Sequence, residues 1–211
     1  MEILCFNELE STQTYLIDAL KEKRLSVPIA VMAKEQTKGL GSRENSWEGG
    51  EGNLFFSFAL SLDNLPKDLP ISSASIYFSY LMKEILHQYD ADVWLKWPND
   101  LYQNNSKVGG TITKKIDNIL VCGMGINLLK NENGFEALNL NIEPIFLLEK
   151  YILELQKLLT WKQIFSQYRI EFERSKAFYT HVNGEYKSLK SAILSEDGSL
   201  IIEKKRVYSI R

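Results

Sequence analysis

Fifteen consecutive positions, 96 to 110, concentrate groups able to do chemistry: Lys96-Trp97-Pro98-Asn99-Asp100, then Lys107 ahead of Gly109-Gly110. Pro98 fixes its own φ, which holds Asn99 and Asp100 in defined directions. Asp100 suits orienting a lysine, binding Mg²⁺ or accepting a proton, while Asn99 suits reading donor and acceptor edges. Lys107 adds a cation aimed into the same cleft. Taken singly, each residue reads as structural, with Asn99-Asp100 as a plain turn; taken as a set, they read as a site. A second group lies upstream. Gly39, Gly41, Gly49, Gly50 and Gly52 fall within 14 residues, beside Lys34, Gln36, Lys38 and Arg43 and followed or interrupted by Trp47. Glycine lets backbone N–H groups approach an anion closely, cations fold over phosphates, and an indole can stack on a purine. Two ordinary loops and a core tryptophan are the plain alternative. GxxxxGK[ST] is absent and Gly39–Glu44 fails GxGxxG at its last position, so a nucleotide would not bind in P-loop or Rossmann fashion. Gly123-Met124-Gly125-Ile126-Asn127 closes a later strand with two glycines and an amide.

The elements that must position these groups alternate. Ile3–Leu9 reads as a strand, followed by a helix from a Ser11 or Thr12 cap through Lys23. Pro28 precedes the strand Ile29–Lys34, and Leu54–Leu62 is apolar enough to be a buried strand. Ile76, Tyr80, Leu81 and Ile85 stripe a helix over Ser73–Gln88. Val93–Lys96, Val108–Lys115 and Ile119–Gly123 are further strands. Pro144 opens a helix whose apolar residues Ile145, Leu148, Ile152, Leu155 and Leu159 share a face, and another helix covers Trp161–Ser175. Lys187–Leu194 and Leu200–Lys204 form a hairpin around Asp197-Gly198. The fold class expected is α+β: a mixed sheet backed by helices over residues 1–178, then a small β domain over 179–211.

Composition limits what such a chain can do. Its 211 residues, 45% hydrophobic, suffice for one real core. Its 25 Lys and Arg against 27 Asp and Glu exclude a chain-wide basic coat for nucleic acid. Residues 150–211 carry 12 basic against 7 acidic side chains, but the signs alternate and read as a solvated face. No apolar run approaches the ~18 residues a membrane span needs, and no secretory pattern opens the chain. Cys5, Cys122, His87 and His181 are too few and too scattered for a zinc site or a disulfide framework. The expectation is a cytoplasmic globule with both thiols buried.

Glu10-Ser11-Thr12-Gln13, Gln36 with Gly39–Trp47, Lys96-Trp97-Pro98-Asn99-Asp100, Lys107-Val108-Gly109-Gly110 and Gly125-Ile126-Asn127 occur in the order and spacing of biotin–protein ligases. The chain resembles that family over about residues 1–130, and more weakly to the C-terminus. KWPND followed by K-x-x-G is highly specific. The resemblance is to the monofunctional kind, lacking an N-terminal DNA-binding domain. It implies activation of biotin by ATP to biotinyl-5′-AMP and pyrophosphate, then transfer to one lysine of a biotin carboxyl carrier domain of a carboxylase. ATP and biotin would be substrates and Mg²⁺ would shield the phosphates. No nucleic acid or membrane partner is implied, and a homodimer is compatible with the family.

By the same resemblance, Lys107, Asp100 and Arg43 would be catalytic, with Lys107 neutralising carboxylate and α-phosphate. Ser11, Thr12, Gln13, Gln36, Gly41, Lys107, Gly109 and Gly110 would bind biotin. Lys38, Gly39, Leu40, Ser42, Arg43, Trp47, Lys96, Asn99 and Asn127 would bind ATP, with Trp47 against adenine. The loop Lys38–Asn53 would exclude water from the adenylate. A lipoate- or octanoyl-type acyl ligase of the same fold, and a noncatalytic biotin- or nucleotide-binding module, are the alternatives.

The sequence departs from the family at the loop, usually G-R/K-G-R-x-G-R-x-W. Leu40, Ser42 and Asn45 stand at its basic positions, Gln13 replaces the Asn after Ser-Thr, and the C-terminal part is a shortened version of the family's SH3-like domain. Fewer charge-assisted bonds would hold the adenylate, each typically worth ~1.5–3 kcal/mol. Ser42→Arg is therefore expected to slow adenylate release, read by stopped-flow or filter retention; an unchanged off-rate contradicts this.

Overall fold

The computed structural model describes residues 1–41, 46–47, 50–130, 136–182 and 184–208. In chain order the elements are β1 (Glu2–Leu9), α1 (Thr12–Lys21), β2 (Ile29–Gln36), β3 (Gly39–Leu40), β4 (Ser46–Trp47), β5 (Leu54–Ser61), α2 (Ala74–His87), β6 (Val93–Lys96), β7 (Asp100–Gln103), β8 (Ser106–Ile116) and β9 (Ile119–Ile126). Then follow α3 (Pro144–Leu155), α4 (Trp161–Ser175), β10 (Tyr179–Val182), β11 (Glu185–Ser188), β12 (Ile193–Leu194), β13 (Leu200–Ile202) and β14 (Lys205–Val207). Seven strands form one sheet in the order β1-β2-β5-β9-β8-β7-β6. Only the β1–β2 pair is parallel; the sheet is mixed, as expected for α+β.

Period-two alternation divides the sheet into two faces. Ile29, Val31, Ala59 and Val121 turn to one face and pack on Leu16 and Ile17 of α1. Ala30, Met32, Phe56, Phe58, Cys122 and Met124 belong to the larger cluster with α2, α3 and α4. Helix α2 buries 12 of its 14 residues, so it is enclosed rather than a surface helix. Phe58 meets Phe78 edge-on at 5.0 Å, and Phe56 meets Tyr151 at 5.4 Å, both favoured aromatic geometries. Ser11 caps α1 by accepting from Thr14 N, and a capping box at Thr160 and Gln163 starts α4.

Several boundaries differ from expectation. Helix α1 ends at Lys21, and α3 ends at Leu155, leaving Leu159 in a loop. Strand β7 is an addition: Asp100 starts a strand instead of finishing a turn, because Asn104 takes φ 52° and reverses the chain into β8. The expected strand Lys187–Leu194 is broken near Leu189, whose N–H bonds Phe178 O. Its first part pairs with β10 and its last part with β13. These short antiparallel sheets are consistent with a reduced SH3-like module. Cys122 is buried, which pushes its thiol pKa well up, but Cys5 is exposed, contrary to expectation, because it lies on the sheet's edge strand. No described helix is long and apolar enough to cross a membrane.

Trp97 ties the C-terminal strands to the sheet. Its side chain is fully buried, its indole N–H donates to Gly198 O at 2.9 Å, and its backbone N–H donates to Ser175 Oγ at 3.1 Å. Trp97→Ala is expected to cost about 3–5 kcal/mol of unfolding free energy, measured by urea denaturation; a loss below about 1 kcal/mol contradicts this anchoring.

Candidate functional site

On the sheet face that carries α1, the N-terminus of the helix, the end of β2 and the middles of β5, β8 and β9 converge on a cleft. Ser11, Thr12, Gln13, Gln36, Leu40, Gly41, Trp47, Asn99, Lys107 and Gly110 line it, and all were expected at the site. Ser57, Thr111 and Ile112 line it as well, without having been singled out, and so do Gly123, Met124 and Gly125 of the strand-closing Gly-x-Gly segment, which had been noted but given no ligand to hold. Ser57 had a signal: a hydroxyl set between Leu54-Phe55-Phe56 and Phe58-Ala59-Leu60 in β5.

The polar wall at α1 is already hydrogen-bonded on one side. Gln36 Oε1 accepts from Thr12 N at 2.8 Å and from Thr12 Oγ1 at 3.1 Å. With its one proton so used, the Thr12 hydroxyl accepts from Ser57 Oγ at 2.9 Å. The oxygen of Gln36 is thus engaged, which leaves its NH₂ as the group to donate to a ligand. Gln13 presents the opposite polarity: its buried Oε1 has no partner.

At the other end of the cleft Asp100 holds two ammonium groups. Oδ1 lies 2.7 Å from Lys107 Nζ and Oδ2 lies 3.6 Å from Lys96 Nζ. Lys96 is buried, whereas the Lys107 side chain keeps 37% exposure and faces the cleft. Its Nζ also stands 5.3 Å from the Trp47 ring centre, within cation–π range. Burial and the Asp100 charge push the neighbouring Tyr102 hydroxyl up to about 12. Asn99 is stitched to β8, its Nδ2 donating to Thr111 O at 2.6 Å and its carbonyl accepting from Thr111 N at 3.0 Å.

Glycines form the floor. A β-carbon on Gly125 would stand 2.5 Å from Trp47 Nε1, an overlap no structure tolerates, so the indole rests directly on β9. That Nε1 is buried without a partner. With the indole there, the cleft has about 30 Å³ of open space, room for one or two waters.

The other expected residues that the structure describes lie off the cleft wall. Lys38 pairs with Glu10 at 2.8 Å, both largely exposed, an interaction worth little in water. Gly39 backs on Trp47 O, and Gly109 packs against Ile126 and Leu101. Asn127 donates from Nδ2 to Glu136 O at 3.1 Å, while its Oδ1 is buried and unpartnered. Ser42 and Arg43 lie outside the described residues. Among the described residues, no three His, Cys, Asp or Glu side chains stand together to hold a metal.

A model of the biotin/lipoate A/B protein ligase family matches residues 5–131. Biotin acetyl coenzyme A carboxylase synthetase from Helicobacter pylori, solved with bound biotinylated ATP, is 39% identical, with a TM-score of 0.94 over 98% of this chain and 99% of that one. Biotin–protein ligase 2 of Arabidopsis thaliana is 33% identical over 52% of this chain and 36% of its own. The bifunctional ligase/repressor BirA of Escherichia coli K12 is 32% identical over 57% of this chain and 38% of its own. The match thus spans little more than a third of these curated relatives.

Thr12→Val removes the hydroxyl between Gln36 and Ser57 while keeping shape. It is expected to cost about 1–3 kcal/mol, because Ser57 is left buried without an acceptor. Urea denaturation with an unchanged m-value is the measurement; a neutral substitution would mean the bonded wall is dispensable.

Proposed function

The chain belongs to the biotin/lipoate A/B protein ligase family, and from that premise we propose that it is a biotin–protein ligase. It joins biotin to AMP at the expense of ATP and then passes biotin to a lysine on the carrier domain of a carboxylase, met in the cytoplasm. Residues 1–178 carry the catalysis and 179–211 form the small β domain. The observation that carries the reading is the Lys107 ammonium, held by Asp100 at 2.7 Å and turned toward a glycine-floored cleft.

The first step forces two anions together. The carboxylate oxygen of biotin attacks the α-phosphorus of ATP, a P–O bond forms, and the bond to pyrophosphate breaks. Lys107 lowers the repulsion and carries the charge that builds on the α-phosphate oxygens. Asp100 keeps that ammonium in place. The head group lies at the α1 wall, where the Gln36 NH₂ donates and Gln13 accepts, the complement of a urea with one carbonyl and flanking N–H groups. Trp47 must leave part of its resting volume to admit ligand, and then covers the adenine with its indole.

In the second step the neutral ε-amine of the acceptor lysine attacks the acyl carbon. An amide bond forms, the amine gives up a proton, and AMP departs with the bonding pair. Magnesium enters with the phosphates of ATP as part of that substrate. Asp100 shares its carboxylate between two ammonium groups, so it is assigned to holding Lys107 and not to holding magnesium.

Incubation with biotin, MgATP and a carrier domain is expected to release pyrophosphate and add the mass of biotin less water to the carrier. Lipoate in place of biotin should give no acyl-adenylate. Lys107→Ala is expected to reduce adenylate formation by at least about 10²-fold while thermal unfolding stays cooperative. Near-normal turnover in that variant removes Lys107 from this role, and absence of pyrophosphate from the unaltered chain overturns the reading as a whole.

A further inference from the structure

Gln13 lies on α1, above the sheet, and Gly123 lies on β9 beneath it, paired in register with Ser57 of β5 and Ile112 of β8. A β-carbon built on Gly123 would fall 2.0 Å from Gln13 Oε1, 3.1 Å from Gln13 Cδ and 3.1 Å from Ser57 Oγ. The end of the Gln13 side chain therefore occupies the space that any other residue at position 123 would fill. Gln13 is 6% exposed and lines the cleft, and its Oε1 is buried with no hydrogen-bond partner. A buried, unpaired carbonyl is costly in a folded protein, and its cost is recovered when a ligand N–H meets it.

From these contacts we infer that Gly123 and Gln13 act as one specificity-determining pair: the missing side chain at 123 lets Gln13 reach the cleft floor and present its carbonyl to an N–H of the ligand head group. The inference rests on the biotin reading of the same cleft and adds to it a residue, Gly123, and a coupling. Gln13 is the group that touches ligand; Gly123 is a positioning residue that acts through it. A methyl group at 123 overlaps chiefly the far end of a flexible side chain, so the fold can accommodate it by turning Gln13 away, with the Ser57 hydroxyl, 3.1 Å off, yielding by a few tenths of an ångström. The damage should therefore appear in ligand binding and selectivity before it appears in stability. A shorter amide at position 13 would not reach the methyl, which is what couples the two sites.

The test measures biotin KM, ATP KM, adenylation kcat and thermal midpoint for the unaltered enzyme, Gly123→Ala, Gln13→Asn and the double variant. Gly123→Ala is expected to raise biotin KM about tenfold, with ATP KM and the thermal midpoint nearly unchanged, the size of effect that losing one buried hydrogen bond gives. In the Gln13→Asn background the same change at 123 is expected to add no further penalty. An equal rise in both backgrounds, or no rise in either, overturns the pairing. If Gly123→Ala does not fold, Gln13→Met carries the test: a biotin KM unchanged from the unaltered enzyme overturns it, and a similar tenfold rise supports it. An unaltered enzyme that forms biotinyl-adenylate normally alongside these failures leaves the ligase reading standing. An unaltered enzyme that forms none defeats that reading, and the pairing with it.

Discussion

A single carboxylate between two ammonium groups organises the site. Without Asp100, Lys96 and Lys107 would be two like charges near one strand end, one of them buried, with no carboxylate between them to offset their repulsion. With it, 2.7 Å and 3.6 Å contacts fix both, and only Lys107 keeps an open side toward the cleft. Strand register makes this possible. Asp100 pairs across β7 with Lys96 on one side and Gly110 on the other, and a slip of one residue would turn its carboxylate to the opposite face. The Asn99–Thr111 bonds pin that register at its start.

That hairpin edge is rigid because of what lies behind it. Glu171 of α4 accepts from the backbone N–H of Leu95 and pairs with the buried Lys83 of α2. Ser175 and Gly198 take the two N–H groups of Trp97. Helices α2 and α4 and the C-terminal strands thus converge on the segment preceding Asp100. A buried ion pair is poor evidence of stability by itself, but here it bonds the backbone of the strand that ends in Lys96. The chemistry is on one face of the sheet and its mechanical support is on the other.

The sequence made most of the elements legible, because long apolar runs such as Leu54–Leu62 and the apolar stripes of α2 and α3 have few other solutions. It made the location of the cleft legible through Lys96–Asp100 and Lys107, whose residue types are out of place in plain turns. Strand β7 was not legible, since Asp100-Leu101-Tyr102-Gln103 is too short and too polar to show alternation, and its partners are chosen by the Asn104 reversal. The exposure of Cys5 could not be read either: which strand lies at a sheet edge is a matter of topology. The Ser57 hydroxyl and the Gly-x-Gly of β9 were visible in the sequence, but their place in the cleft depends on what crosses above them, which a linear reading does not contain.

Those glycines also show why a glycine motif has to be read with its secondary structure. Gly123 and Gly125 are two apart on a strand, so they share a face, while Cys122 and the Met124 side chain turn to the helical core on the other. In a loop the same Gly-x-Gly would suggest backbone amides gathered around a phosphate. On β9 the amides belong to the ladder with β5 and β8, and what the glycines contribute is absence of bulk. One missing side chain lets the Trp47 indole lie on the sheet, and the other lets the Gln13 amide reach it. On the ligase reading proposed above, two substrates that react at their ends need adjoining subsites on one floor, and the absence of two side chains from alternate positions of a central strand provides such a floor without breaking a ladder hydrogen bond.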